Sequence, residues 1–325
     1  MKRGLVNLAT VLFVSACAAE SEGPRELKFG HVGEPGSLFA LSAEEFARRA
    51  NERLDGYTVV VYGSSPLGGD EPLLQKIKLG TVDFALPSSV MSSQIDEFGL
   101  FEMPYLVQDR AHMRAIEEAV VWPELAPLAE ATGYRVIALW ENGFRHVTNN
   151  MRPIVRPDDL AGVKLRTPRG VWRVKLFQEF GANPTPMALS EVFIGLQTGV
   201  IDGQENPLPQ IWGSKLYEVQ EYLSLTGHVY TPGYVVVSPS RWDRLPATVR
   251  AILEEEAKAT QAFVHETATR LDAELLDQIR EAGVLVNSPD RSAFERSSAP
   301  IYDEFARTVE GGGDLVERAI AAGSN

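Results

Sequence analysis

Residues 184–207 read PTPMALSEVFIGLQTGVIDGQENP. The central part of this stretch, 191–197, has the composition of a helix, and Gly199 follows where a C-cap glycine is expected. Residues 200–204 begin with Val and Ile and predict a short strand. Pro207 has no backbone N–H and cannot continue that strand. The stretch therefore predicts the helix-to-strand junction of an α/β protein.

A second junction of the same kind lies earlier in the chain. Residues 79–83 read LGTVD and residues 198–202 read TGVID, so both contain Gly-x-x-Asp at the entry to a strand. Upstream of each, a loop with Pro and Gly leads into an acidic helix start, at 66–71 and at 184–191. The two matches predict two lobes of related topology. The alternative is that any helix-to-strand turn favours Gly.

Strand and helix signals alternate through the remaining chain, which predicts sheets with helices on their faces. The predicted strands are 27–32, 57–62, 82–86, 134–140, 163–166 and 234–237, and the predicted helices include 42–54, 70–78 and 171–180. Residues 247–282 contain no Gly or Pro and carry apolar residues at three- to four-residue spacing. This predicts one helix of about 50 Å that braces both lobes. The alternative is two helices joined by a kink.

Composition and charge exclude several classes of protein. The chain has 325 residues, 44% hydrophobic and 23% charged, which is ordinary for a globular protein. Its formal net charge of -13 argues against a nucleic-acid partner and against an anionic membrane surface. A protein of this charge can still bind an anion if a few cations are gathered in one cleft.

The N-terminus has the pattern of a secretory signal. Lys2 and Arg3 precede an apolar run at 5–16, and small residues occupy 15–19. Residues 1–19 are therefore predicted to be a cleaved signal peptide of a periplasmic protein, the alternative being a buried first helix. Cys17, the chain's single cysteine, also fits a lipobox, so a lipoprotein anchored at Cys17 stays open.

Signatures of catalysis and of metal binding are missing from the sequence. His-Glu-x-x-His, Gly-x-Ser-x-Gly and the phosphate-binding Gly-x-x-x-x-Gly-Lys pattern are absent, and the five histidines lack metal-ligand spacing. We therefore predict no catalytic residue, no metal and no cofactor.

The informative polar residues stand near predicted strand ends, where open α/β sheets bind ligands. Arg166 could hold a carboxylate through two parallel hydrogen bonds, unless it is a surface arginine paired with a nearby acid. Asn206 offers an amide donor and acceptor, unless it is an ordinary helix N-cap before Pro207. Arg145 lies in the crossover between the lobes, where a hinge would place it near a cleft.

The residues 166–168 (RTP), 184–192 and 195–207 follow in an order that resembles the solute-binding proteins of TRAP transporters, of the C4-dicarboxylate and sialic-acid (DctP-like) type. Residues 62–68, 142–145 and 217–220 resemble the same family, so the likeness covers nearly the whole mature chain. It implies a two-lobed periplasmic binding protein-like α/β fold, with hinge strands and a long helix spanning both lobes. We expect lobe I to comprise 24–143 and 232–271, and lobe II 144–231 and 272–325.

The resemblance also implies roles for single residues. Arg166 would form the selectivity salt bridge with the ligand carboxylate. Ser88 replaces an acid of the sialic-acid binders, Arg169 an amide and Leu189 an aromatic residue, which argues against sialic acid. Glu34 could accept hydrogen bonds from ligand hydroxyls, which favours a sugar acid. The predicted ligand-binding residues are Arg166, Asn206, Arg145, Glu34, Asp70, Ser88, Asn142 and Arg169.

The function implied is the extracytoplasmic component of a TRAP transporter. The protein would be a monomer that captures a small organic acid, a sugar acid or another carboxylate, and delivers it to the membrane permease subunits. Two alternatives stay open at this point: a module that presents the ligand to a sensory receptor, and an exported enzyme acting on a small acid.

Overall fold

The computed structural model describes residues 23–323, so the predicted signal peptide and Cys17 lie outside the described residues. The strands form two sheets, one of order β2-β1-β3-β10-β4 and one of order β11-β9-β5-β8-β6-β7. Their bounds are β1 Arg25–Gly30, β2 Tyr57–Tyr62, β3 Phe84–Ala85, β4 Arg135–Phe144, β5 His146–Asn149, β6 Lys164–Thr167, β7 Asn183–Pro186, β8 Gly203–Asn206, β9 Tyr222–Ser224, β10 Tyr230–Val237 and β11 Leu285–Asn287.

Helices cover the faces of both sheets, and the predicted two-lobed α/β fold is confirmed. The α-helices are α1 Leu38–Arg53, α2 Asp70–Leu79, α3 Arg110–Ile116, α4 Ala126–Ala131, α5 Val171–Glu179, α6 Leu189–Gln197, α7 Leu208–Gly213, α8 Pro239–Trp242, α9 Ala247–Glu281, α10 Arg291–Ser297, α11 Ala299–Thr308 and α12 Gly312–Ala322. Short 3-10 helices occupy 89–93, 96–102, 157–160 and 216–219, and 117–125 is π-helical.

The two sheets repeat one local topology. In the first sheet β1 lies between β2 and β3, all parallel, and β3 pairs antiparallel with β10. In the second sheet β6 lies between β7 and β8, all parallel, and β8 pairs antiparallel with β5. The related topology predicted from the two Gly-x-x-Asp junctions is therefore confirmed.

Both junctions use their aspartate in the same way. Asp83 Oδ2 accepts a hydrogen bond of 2.9 Å from the amide of Lys28, and Asp202 Oδ2 accepts one of 2.9 Å from the amide of Lys164. The glycine of each junction has positive φ, +67° at Gly80 and +72° at Gly199. Glycine ends the helix and the carboxylate then ties the incoming chain to the neighbouring strand.

Several element bounds differ from those predicted. β8 begins at Gly203 instead of residue 200, and β3 shrinks to two residues. At each junction the aspartate binds the neighbouring strand twice, through its own amide to the carbonyl of Lys28 (3.1 Å) or Lys164 (2.9 Å) and through its side chain to the amide of the same lysine, and the regular strand begins only after it. α1 begins at Leu38 instead of residue 42 because Ser37 caps it, accepting a hydrogen bond of 3.3 Å from the amide of Ala40.

Two adjacent chain segments connect the lobes. The first runs from β4 to β5 through Arg145, and the second runs from β9 to β10 through residues 225–229. They are hydrogen-bonded to each other, since the amide of Arg145 donates to Val229 O at 2.9 Å and Phe144 pairs with Tyr230. These two paired segments form the hinge between the lobes.

α9 is a single helix of 35 residues, so the alternative of two kinked helices is wrong. It contacts α1 and β4 of the first lobe and α7, which follows β8 of the second. Its apolar stripe includes the buried residues Val249, Leu253, Val264, Leu271, Leu275 and Ile279. Trp140 Nε1 on β4 donates to Ala257 O on the helix at 2.9 Å. The helix thus braces the first sheet and reaches the second lobe.

The predicted lobe boundary does not match the packing of the C-terminal residues. β11 pairs with β9, as a segment of lobe II would. In contrast, α12 packs on the first lobe, where Ala319 O lies 2.7 Å from His112 Nε2 and Arg318 Nη1 lies 2.9 Å from Glu124 Oε1. The apolar face of this helix must pack against another element, and the order of elements along the chain does not show which lobe provides that element.

Candidate functional site

A cleft lies between the lobes, beyond the carboxyl ends of the parallel strands, where open α/β sheets bind ligands. It consists of two adjoining cavities, an inner one of about 40 Å³ and an outer one of about 290 Å³. Both lobes supply residues that line both cavities: Val32, Asp70 and Val90 from the first, and Arg166, Pro168 and Leu189 from the second. The cleft has the size and shape to hold a small molecule.

Arg166 is the central cation of this cleft. It lies on β6, is 4% exposed, and donates from Nε (2.9 Å) and Nη2 (2.6 Å) to Met187 O. Among residues 23–323 no carboxylate is within ion-pair distance of it, and its Nη1 makes no hydrogen bond there. The alternative of a surface arginine paired with an acid is therefore wrong. Burial lowers the pKa of Arg166 to about 10, which still leaves it charged at neutral pH.

Asp70 faces the same cleft at the first turn of α2. Its side chain is half-buried and makes no hydrogen bond within the described part of the chain. Burial raises the pKa of Asp70 to about 7, although the nearby Arg166 opposes this rise. A carboxyl group in this state can accept a hydrogen bond when ionised and donate one when protonated.

A buried ion cluster supports the inner cavity from behind. Glu205 on β8 accepts hydrogen bonds from Arg145 Nε at 2.5 Å and from Arg145 Nη2 at 2.9 Å. It also accepts one from Arg173 Nη1 at 2.5 Å. Arg173 Nη2 also lies 2.7 Å from Glu102 Oε2 of the first lobe. Burial opposes ionisation of Glu205, but Arg145 and Arg173 hold its pKa well below the usual range. His228 Nε2 completes the cluster, 3.1 Å from Glu205.

The cluster orients two of the predicted site residues. Arg145 Nη2 also donates to Asn206 Oδ1 at 2.9 Å, and Asn206 Nδ2 donates to Gln204 Oε1 at 2.6 Å. Both Arg145 and Asn206 line the inner cavity. Arg145 Nη1 makes no hydrogen bond to any described residue, so this cavity holds a second guanidinium donor besides Arg166. Asn206 is not a free N-cap but part of the polar wall.

Ser88 and Asn142 form the first lobe's side of that wall. Ser88 Oγ donates to Pro232 O at 2.7 Å and accepts from Asn142 Nδ2 at 3.3 Å. Sequence reasoning missed Gln210 on α7, which also lines the inner cavity and is 4% exposed. Its position one turn after the β8 strand end was the available signal. Phe39 and Ser89 were missed as well.

Two predicted residues lie farther out. Arg169 lines the outer cavity, and its Nε lies 3.4 Å from Glu71 Oε2 of the other lobe. Glu34 accepts a hydrogen bond of 2.6 Å from Ser64 Oγ and lines a separate groove beside Lys215. The structure therefore brings together seven of the eight predicted residues and leaves Glu34 outside the cavity, because the β1–α1 loop carries it away.

Within residues 23–323, no group of three or more His, Cys, Asp or Glu side chains could hold a metal ion. None of the helices in that range is long and apolar enough to cross a membrane.

The fold and the site define a class of protein: a two-lobed binding protein with hinge strands and an anion-accepting cleft. Residues 29–308 match the family described as bacterial extracellular solute-binding protein, family 7 (DctP), and the chain belongs to this family. It is thus an extracytoplasmic solute-binding protein of the TRAP-transporter type, as the sequence resemblance implied.

Relatives with known ligands match nearly the full chain. The chain is 31% identical, over 96% of its length and 98% of the relative's, to the 2,3-diketo-L-gulonate-binding periplasmic protein of Escherichia coli. It superposes with a TM-score of 0.89 on the sugar acid binding protein DctPAm from Advenella mimigardefordensis in complex with galactonate (31% identity, 93% and 98% covered). It superposes with a TM-score of 0.87 on a TRAP periplasmic solute-binding protein from Sulfurospirillum deleyianum with bound succinate (30% identity, 92% and 99% covered).

Proposed function

We propose that the protein captures a small organic acid in the interlobe cleft, with Arg166 as the carboxylate anchor, and delivers it to TRAP permease subunits. One observation carries the proposal: a buried guanidinium, without a carboxylate partner in the described chain, lines the cleft. A buried charge without a counterion is costly, so this arrangement favours an anionic ligand.

Ligands of the relatives support this choice of chemistry. Diketogulonate, galactonate and succinate differ in length and in hydroxyl content, and their shared group is a carboxylate. A carboxylate at Arg166 can also meet Arg145, whose Nη1 is not used by the buried cluster. The other end of the ligand would then meet Asp70 and Arg169 toward the outer cavity.

Capture follows from the two-lobed geometry. An acid entering the open cleft meets Arg166 on the second lobe, and the lobes then close about the paired strands β4–β5 and β9–β10. Closure removes water and strengthens the ion pair. Arg169 and Glu71 form a contact between the lobes at the outer cavity. This contact adds little to the stability of the closed form, because both side chains are partly exposed.

We infer that the protein is not an enzyme, because the described lining of the two cavities contains no Cys, His or Lys, and Asp70, which makes no hydrogen bond there, has no nucleophile paired with it. Nucleic acid is not an expected partner, and the protein would act as a monomer. The 1–19 segment would be a cleaved signal peptide, with lipidation at Cys17 as the alternative product. A ligand-presenting role toward a sensory receptor would use the same cleft.

The test is a thermal-shift screen against hydroxy, keto, sugar and dicarboxylic acids. Ligand at 100 times its Kd should stabilise the protein by about 2.7 kcal/mol. Arg166→Ala should abolish the shift, whereas Arg156→Ala, at an exposed arginine outside the cleft, should preserve it. A shift that survives Arg166→Ala would place the carboxylate elsewhere. Loss of the acid on incubation, followed by mass spectrometry, would instead identify an enzyme.

A further inference from the structure

In the buried ion cluster behind the inner cavity, the positive and negative charges nearly cancel. Arg145 and Arg173 share Glu205, and Arg173 also contacts Glu102, so two guanidinium groups face two carboxylates within one buried cluster. Arg145 therefore enters the cavity as a hydrogen-bond donor whose charge is already compensated. Arg166 has no such partner among the described residues. The inner cavity accordingly offers one guanidinium without an ion-pair partner in the described chain, and Asp70 is the acid that lines the same cavity.

The outer end of the cleft is acidic. Its lining contains Asp70, Glu71 and Glu191, against Arg169, which already contacts Glu71, and Arg166, which lines both cavities and is taken as the carboxylate anchor. Glu191 Oε2 accepts a hydrogen bond of 3.1 Å from the amide of Ala188 and caps α6. A carboxylate placed at this end would face like charges, whereas a hydroxyl could donate to the same oxygens.

Neutral polar groups suited to hydroxyls also line the inner cavity. Ser88, Ser89 and Gln210 on the cavity wall carry neutral donors and acceptors, as do Asn142 and Asn206. None of these side chains brings a positive charge that could compensate a second ligand carboxylate. Once Arg166 holds the ligand's first carboxylate, the remaining groups of the cleft are neutral amides and hydroxyls in the inner cavity and mostly acids in the outer one, with Asp70 lining both.

We propose that the cleft selects polyhydroxy monocarboxylates and rejects dicarboxylates of the same length. The proposal deepens the proposed function and rests on it, because it takes Arg166 as the carboxylate anchor. Asp70 and Glu71 are the residues that set the selection, since they lie on the first lobe and line the outer cavity. The relatives bind acids of both types, so membership of the family does not decide between them.

The test compares acids that differ only in the second carboxylate. Erythronate is paired with meso-tartrate and galactonate with galactarate, and Kd values are measured by titration calorimetry on the purified protein. In at least one pair we expect the monocarboxylate to bind about tenfold more tightly or better, because like charges across a binding interface are strongly unfavourable.

Substitutions in the outer cavity test whether its acidic side chains cause the preference for the monocarboxylate. Asp70→Asn combined with Glu71→Gln should narrow the gap between the two acids of a pair to about threefold or less. Glu34→Gln is the matched control, because Glu34 is also an acid of the first lobe but lies outside the cavity. It should leave the ratio unchanged. Retained binding of the monocarboxylate shows that the double variant is folded.

The outcomes separate this inference from the proposed function. Equal or tighter binding of the dicarboxylate, with binding lost in Arg166→Ala, overturns the selection and leaves the capture of organic acids standing. If the double variant leaves the ratio of the two Kd values unchanged, Asp70 and Glu71 do not set the selection. No binding of any acid, in a protein that melts cooperatively, overturns both the inference and the proposed function.

Discussion

β3 of the first lobe and β8 of the second occupy equivalent places in their sheets, but their sequences have opposite character. After Asp83 the chain reads Phe-Ala-Leu, whereas after Asp202 it reads Gly-Gln-Glu-Asn. All of these residues are buried. The first strand contributes to an aromatic core in which Phe29 and Phe84 stack with ring centroids 5.6 Å apart. The second strand instead carries the buried ions and amides of the site.

The neighbouring strands show the same contrast. Lys28 on β1 and Lys164 on β6 are equivalent, because the amide of each donates to a junction aspartate. Two residues further along each strand, Gly30 therefore corresponds to Arg166. A Cβ at Gly30 would lie 2.5 Å from Leu73 Cδ2, so the first lobe uses this position for close packing. The second lobe uses it for the guanidinium of the cleft. One backbone topology therefore supports a packed core in one lobe and a binding wall in the other.

The largest effect is expected at the equivalent positions Glu205 and Leu86. Glu205→Ala leaves the buried Arg145 without its counterion and Arg173 with Glu102 alone, which should cost about 3–5 kcal/mol of unfolding free energy. Leu86→Ala creates a cavity and should cost about 2–5 kcal/mol. Only the first should also weaken acid binding, because it releases Arg145. Denaturant unfolding and calorimetry measure the two quantities, and equal loss of affinity in both variants would contradict the division of roles.

The pH dependence of stability compares His31 of the first lobe with His228 of the second. Burial lowers the pKa of each to about 4, below the ordinary value of 6.5. The unfolded chain therefore binds more protons between pH 6.5 and 4, so stability falls as the pH falls through this window. Each histidine should contribute about 2–3 kcal/mol across the window.

His31→Gln and His228→Gln are the variants for this comparison. Each should flatten the fall in denaturation midpoint between pH 7 and pH 4, and to a similar extent. A pH profile that neither variant changes would assign the acid sensitivity to other groups.

The junction aspartates should give a smaller difference. Asp202→Asn weakens the hydrogen bond to the Lys164 amide and should cost about 1–2 kcal/mol. Asp83→Asn should cost more, because Asp83 Oδ1 also pairs with Arg241 Nη2 at 2.7 Å. Denaturant midpoints rank the two variants, and a larger loss at Asp202 would contradict the stabilising role of the Asp83–Arg241 pair.

The smallest effects are expected at the junction glycines. Gly199→Ala meets no atom within 4 Å and should cost about 1 kcal/mol, for its positive φ alone. At Gly80 an added Cβ would lie 2.7 Å from Arg241 Cγ, so Gly80→Ala should cost more than Gly199→Ala. Thermal unfolding of the two variants measures this difference, and equal melting points would mean that Arg241 moves aside freely.

Local signals were sufficient for much of the fold and part of the site. The strand at 57–62 and the long helix starting at Ala247 formed at their predicted starts, because alternation and the lack of Gly or Pro are local properties. Arg166 and Asn206 could be found because strand ends are visible in sequence. Gln210 was missed because it lies inside a helix whose buried side becomes clear only when the lobes are assembled.

By itself, the sequence determined the alternation of strands and helices, the paired Gly-x-x-Asp junctions and the presence of cations and amides at strand ends. Only the tertiary structure decided which of these polar groups act together. Arg145, Arg173 and Glu205 are far apart in the chain, and their mutual compensation depends on burial in one low-dielectric cluster. The cluster compensates the charges of Arg145 and Arg173 and leaves Arg166 without an ion-pair partner in the described chain, and no local pattern specifies this division of roles.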